Sequence, residues 1–334
     1  MTLLYMDGFD LNDRTYRYAN AGNAVATGRL GTGRCIQVNS TGNISTITFP
    51  AANEVVCGVA MNTALNRGSI SFRGDAAATG HIAVVAYTDG SVAIRRGTAG
   101  SGTTIASLPA GSLAPNAWHY IEAKVTISDT VGEVEVRANG GPVPILTFTG
   151  DTKNGGTANT IDGILLEVNG TTSMQYDDLY ILDTTGAAPN NDFLGDVKIV
   201  LLEPSGNGNY SQLTGSDADS VDNYLLVDDA ASVATADYVA GATAALKDSY
   251  AMDDLSGVAT VFAIQELAIV QKSDAGAASM KQLLRRAGTD YTTVAAGLST
   301  SWSELRNIRA TDPSTGNQWT VSGVNAIEAG VETA

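Results

Sequence analysis

The chain has 334 residues, 36 of them glycine, with 16% charged and 6% aromatic side chains and a net charge of −16. That length accommodates two cores of ordinary domain size, and a composition rich in Gly, Ser, Thr, Ala and Val fits short strands joined by tight turns rather than helices. Eleven basic and sixteen acidic side chains fall before residue 189, and eight and nineteen after it, so both halves repel phosphate backbones and anionic lipids, and neither nucleic acid nor a membrane surface is expected as a partner.

In chain order, strands are expected at Arg34 to Val38, Gly42 to Phe49, Glu54 to Met61, Gly68 to Phe72 and His81 to Tyr87, each bounded by turn formers. Asp89-Gly90 then turns the chain into Ser91 to Arg95. The best alternation runs from Tyr120 to Arg137: Ile121, Ala123, Val125 and Ile127 share one face, Glu122, Lys124 and Thr126 the other. Ile161 to Val168 and Gln175 to Leu182 complete a set that suits a two-sheet antiparallel sandwich. Thr184 to Asp192 is a run of turn formers without periodicity, the expected linker. Beyond it, Asp196 to Glu203, Asn223 to Val227, Thr260 to Lys272, Ser279 to Arg286 and Trp302 to Ala310 read as strands, and Val321 to Ala329 as one short helix with Ser322 as cap and Gly330 as terminator. The fold class expected is all-β: two antiparallel β-sandwich (jelly-roll) domains in tandem, over residues 1–186 and 193–334, with a linker at 187–192.

Chemistry-bearing residues are few. Cys35 and Cys57 sit in strand-like runs and read as buried free thiols. Glu133 and Glu135 lie on one strand face about 6.6 Å apart at ~3.3 Å rise per residue, within range of a glycosidase pair, but Val134 and Val136 claim the inward face and leave the carboxylates to solvent. Asp177 and Asp178 read as a hydrogen-bonded structural pair, with calcium as the other use of such oxygens, and Asp217, Asp219 and Asp222 as an acidic loop lacking an EF-hand pattern. His81 and His119 are too few for a zinc site without cysteine, no Gly-x-Ser-x-Gly elbow occurs, and Gly28 to Gly33 opens no strand-to-helix unit. Neither catalytic nor metal residues are therefore assigned. Sugars stack on aromatic rings, and Tyr16, Tyr18 and Tyr210 are the tyrosines expected in loops where a glycan could reach them.

Met6-Asp-Gly-Phe9, Trp118-His-Tyr-Ile-Glu-Ala-Lys-Val125 and Tyr176-Asp-Asp-Leu-Tyr-Ile181 resemble the concanavalin A-like, laminin-G-like jelly rolls common in bacteriophage structural proteins. Phe193-Leu-Gly-Asp-Val197, Tyr224 to Asp228, Lys247 to Ala251 and the closing Asp312-Pro to Val331 resemble a segment that follows such jelly rolls in phage genomes. The resemblance implies a non-enzymatic virion component, a neck, head-fibre or tail-associated appendage, with other virion proteins and further copies of itself as partners. It would be assembled in the host bacterial cytoplasm, since Met1 to Asp7 has no signal-peptide character. The alternative is a carbohydrate-binding adhesin recognising a host polysaccharide.

Overall fold

The computed structural model describes residues 3–11, 24–38, 46–168, 173–229 and 236–334, in two compact units that divide after Ile199. The first unit contains β1 (Leu3–Asp7), β2 (Ala24–Thr27), β3 (Arg34–Val38), β4 (Ile47–Ala52), β5 (Glu54–Asn62), β6 (Gly68–Gly74) and β7 (Thr79–Ala86). It continues with β8 (Val92–Arg96), β9 (Thr103–Leu108), β10 (Trp118–Thr126), β11 (Gly132–Ala138), β12 (Leu146–Gly150), β13 (Ile161–Val168) and β14 (Met174–Asp183). All pairings are antiparallel. One sheet runs β12-β11-β10-β5-β14-β3-β2 with β1 also on β14, the other β4-β13-β6-β7-β8-β9.

The two sheets close on one core because alternate residues of every long strand are apolar. Val55, Cys57, Val59 and Met61 from β5, Ile121, Ala123 and Val125 from β10, and Leu179 and Ile181 from β14 meet Ile70 and Phe72 from β6, Ile82 and Val84 from β7, and Ile164 and Leu166 from β13. This is the expected sandwich, and the strand limits agree within a few residues. Four strands escaped expectation, β1, β2, β9 and β12. β9 and β12 are edge strands on their sheets, short and Thr-rich, and neither has a fully buried residue. The cysteines are free and buried, as expected.

The second unit contains β15 (Pro204–Ser211), β16 (Thr214–Gly215), β17 (Val239–Ala240), β18 (Lys247–Met252), β19 (Ile264–Val270), β20 (Ser279–Arg286), β21 (Thr289–Thr292), β22 (Ala296–Gly297), β23 (Ser303–Arg309) and β24 (Ile327–Thr333). Its main sheet runs β15-β18-β24-β20-β21 with β22 also on β20, and β16–β17 and β19–β23 form two-stranded ribbons. Leu284, Trp319, Val324 and Val261 pack into one buried cluster.

Four expectations here need correction. Asp196 to Glu203 lies in no strand. Its first residues belong to the sandwich, so the Phe193 to Val197 run expected to open the second domain ends the first unit instead. Asn223–Leu226 is a 3₁₀ turn, because Asn223 is drawn inward to bond the Leu213 carbonyl and the Asp248 carboxylate. The C-terminal helix is one turn, α1 (Val321–Val324), capped by Thr320 rather than Ser322, and Gly330 lies inside β24. A side chain at Gly330 would meet the Asp248 carbonyl at 2.0 Å, so its glycine serves close strand approach, not helix termination.

Candidate functional site

Three polar networks compete for the role of a site. The first lies on the outer face of the larger sheet. A β-bulge between Asp177 and Tyr180 in the pairing of β14 with β5, with Asp178 in the left-handed region at φ 50°, buries two consecutive carboxyls. Asp177 accepts the Arg29 and Asp178 amides, at 2.9 Å each. Asp178 accepts Arg29 Nε at 2.6 Å and the Ile199 amide at 2.7 Å. Burial, and then the neighbouring Asp178 charge, pushes Asp177 up to about 8. Beside them Glu122 is raised by burial against the pull of the Tyr180 hydroxyl, which donates to it at 2.5 Å, while the Gly195 amide donates at 2.9 Å. The Leu194 amide donates to Tyr180 Oη at 3.2 Å. Lys124 and Arg137 stand 4.8 and 4.0 Å from the centre of the Phe193 ring. These groups hold Asp192–Ile199 down as a strap, so the middle of this face is occupied by the chain itself. The expected structural role of Asp177 and Asp178 is what the geometry presents, and no cluster among the described residues has the make-up of a metal site.

The second network lies on the outer face of the smaller sheet. Registers place Glu167, Ser69, Val85, Ala93 and Ser107 in one cross-strand row, and Leu165, Ser71, Ala83, Arg95 and Thr104 in the next. The floor residues Ser69, Ser71, Ala83, Val85 and Ala93 are small and buried. At one end Arg67 lies 5.9 Å from the centre of the Tyr87 ring, and Glu167 accepts the Ser71 hydroxyl at 2.9 Å. Arg67, Tyr87 and Glu167 are all half-buried. At the other end Arg73 donates to the Ala77 and Ala78 carbonyls at 2.6 and 2.9 Å, across a turn in which Asp75, Ala76 and Ala77 are all left-handed. That turn is held by Asp162, which accepts the Ala76 and Ala77 amides, and by Asp75, which accepts the Thr157 and Ala158 amides. Under it His81 Nδ1 accepts the Asn154 amide at 3.2 Å, leaving Nε2 4.0 Å from Asp75 Oδ2, and burial holds His81 below the usual imidazole range.

The third network surrounds Tyr210 in β15. Its hydroxyl donates to Asp290 at 2.9 Å, and Lys247 and Arg285 stand 5.1 and 5.4 Å from the ring centre while both pair with the same carboxylate. Tyr210 is thus clamped between cations rather than offered as a stacking platform. Tyr16 and Tyr18 lie outside the described residues. Trp319 is core, its indole N–H donating to the Arg309 carbonyl at 2.9 Å. Glu133 is exposed and Glu135 is paired with Arg137 at 2.7 Å, as the alternation implied. Asp217 and Asp219 accept backbone amides of their own loop, and Asp222 accepts from Asn207. Sequence reasoning missed Arg67, Tyr87 and Glu167 as a group: they sit up to a hundred residues apart and only the pairing of β6 with β7 and β13 unites them.

No family model matches the sequence, and no curated protein matches it. Among solved structures, the fold is similar to a tetrameric galectin from the ball sponge Cinachyrella sp., at 15% identity and TM-score 0.30, over 40% of this chain and 96% of that one. It is also similar to the carbohydrate-binding module CBM66 from Bacillus subtilis, at 10% identity and TM-score 0.32 over 48% and 92%. The galectin LEC-6 of Caenorhabditis elegans gives 15% identity and TM-score 0.29 over 43% and 94%.

Proposed function

We propose that this chain is a non-catalytic carbohydrate-recognition protein that binds sugar at the Arg67–Tyr87–Glu167 end of the smaller sheet. The observation that carries the reading is the contrast between the sandwich's two outer faces. Over the middle of the larger sheet's face lies the strap Asp192–Ile199, whose Gly195 and Ile199 amides bond the Glu122 and Asp178 carboxylates. The smaller sheet's face instead sets a guanidinium, a carboxylate and a tyrosine, all half-buried, beside serine hydroxyls. A planar donor, a planar acceptor and an amphipathic ring are the groups that match vicinal hydroxyls and the C–H face of a pyranose. Glycoside cleavage needs two carboxyl groups roughly 5–9.5 Å apart on either side of the bond, whereas Asp75 and Asp162 on this sheet are bound to backbone amides.

Glycan-array binding followed by calorimetry tests the proposal. Tyr87→Ala and Glu167→Gln are each expected to weaken binding about tenfold or more, the scale of one lost ring contact in the first and one lost charge-assisted hydrogen bond in the second. Full affinity in both variants would refute the site.

We also propose the setting in which such a module works: a phage-like particle, carried by the sequence resemblance and by edge strands β9 and β12, which hold neither Lys nor Pro to discourage pairing with another copy. Immunolabelling of particles and sedimentation of the purified chain test it. A monomer absent from particles would end this part of the reading.

A further inference from the structure

The outer face of the smaller sheet carries its own obstruction. Ala83 and Val85 alternate with the core residues Ile82 and Val84 and so point outward, yet both are 0% exposed. What covers them is Ala99, itself 0% exposed, with Tyr87 packed against the same three side chains. Ala99 belongs to the β8–β9 loop, Gly97 to Gly102, which folds back over the sheet instead of projecting beyond it. The loop is held at its base by the Gly97 amide on the His81 carbonyl at 2.8 Å and closed on itself by the Gly102 amide on the Thr98 carbonyl at 2.9 Å. A side chain at Gly102 would meet the Thr98 and Arg96 carbonyls at 2.6 and 2.7 Å, so the closed form requires glycine there. Arg95 rises from the same face, in register with Ala83, and its Nη1 donates to the Ala99 carbonyl at 2.5 Å and the Gly100 carbonyl at 3.2 Å.

We infer that this loop is a specificity stopper, with Arg95 as its positioning residue, and that the protein recognises the end of a saccharide chain rather than a stretch within it. The inference rests on the carbohydrate reading above. A polymer lying along the strands over Arg67 and Tyr87 would run into Ala99 one row further on, so only a chain that stops at Tyr87 and Glu167 fits. Arg95 touches no ligand in this scheme. It acts by holding the loop.

The test uses bacterial surface polysaccharides spotted at equal mass, intact and as ladders of mild-acid fragments, against the wild-type chain and Arg95→Met, which keeps the aliphatic stem over the sheet. Wild-type signal is expected to rise in proportion to the number of chain ends, and Arg95→Met signal to follow mass alone. Hydrogen exchange provides a readout independent of sugar: the Gly100–Gly102 amides should lose protection in Arg95→Met. Wild-type signal that follows mass overturns the stopper while leaving carbohydrate binding intact. Unchanged loop protection in Arg95→Met overturns the role of Arg95. Absence of signal on every spot, from both proteins, overturns the carbohydrate reading and this inference with it.

Discussion

Gly58→Ala tests how tightly the strap's anchorage is built. Gly58 pairs with Glu122 on one side and Tyr180 on the other, and the Tyr180 ring lies across it. An added Cβ would stand 2.2 Å from Tyr180 Cε1 and 2.9 Å from Cδ1 and Cζ, far inside the ~3.5–4 Å of ordinary carbon contact. The ring is 1% exposed and cannot lift without giving up the hydrogen bond it donates to Glu122 and the one it accepts from the Leu194 amide. Overpacking costs about 1–3 kcal/mol, and a buried carboxyl deprived of its donor about 1–3 more. The expected loss is therefore roughly 2–6 kcal/mol, a fall of about 4–24 °C in the melting of a unit this size. Calorimetry measures it, and hydrogen exchange at Leu194 and Gly195 should accelerate together with it. A double-mutant cycle with Tyr180→Leu sharpens the attribution, because removing the ring makes room for the methyl and the two changes should not add. A Gly58→Ala protein within about 0.5 kcal/mol of wild type, or strict additivity with Tyr180→Leu, would refute the packing argument.

Arg29→Met should cost about 3–5 kcal/mol in urea unfolding, because Asp178 would keep a buried charge without its guanidinium, and the Arg29→Met, Asp178→Asn double variant should recover part of that loss. Asp248→Ala strips the acceptor from the Gln212 and Leu213 amides, the Asn223 side chain and the Tyr250 hydroxyl, and should lower the second unit's transition by roughly 3 kcal/mol or more while leaving the first unit's in place. The pH dependence follows from two groups of opposite sign. Asp177, raised to about 8, keeps its proton in the folded chain where the unfolded chain has lost it, so its contribution falls as pH rises from about 4 to 8; the gap between Asp177→Asn and wild type in urea midpoint should widen over that range, and parallel curves would refute the shift. His81, held below its ordinary value by burial, is stabilising above about pH 6.5 and loses that contribution as pH falls, which His81→Gln should abolish.

The sandwich was legible because its long strands obey a two-residue period wherever one face is core. β10 and β11 illustrate it: the outward set Glu122, Lys124, Glu133 and Glu135 and the inward set Val125, Val134 and Val136 fall where the alternation puts them. β9 and β12 were not legible, because a short Thr-bearing edge strand buries too little on either face to stand out from a loop. Asn223–Leu226 failed for a different reason. Tyr, Leu and Leu in sequence suit a strand, but the neighbouring Asp248 carboxylate offers Asn223 a buried partner that only a turn can reach. Tertiary hydrogen bonding outweighed local preference.

The strap explains why the site itself was invisible. Val197 and Ile199 alternate with charged neighbours as a strand would, yet the Ile199 amide goes to the Asp178 carboxylate and the Gly195 amide to Glu122 rather than to another strand. A segment can satisfy its backbone on side-chain acceptors, and no local periodicity distinguishes that from a sheet ladder. The same fact inverts the usual search for function among carboxylates. Asp177, Asp178 and Glu122 are all raised by burial, and all three serve backbone amides under the strap. The proposed recognition site lies instead on the other face, where Glu167 and Arg67 are half-buried and Tyr87 packs against both the Arg67 guanidinium and the Ala83–Val85–Ala99 cluster. The small floor residues Ala83 and Val85 seat the Ala99 loop on that face, and the half-buried groups at its end are those the proposal assigns to sugar.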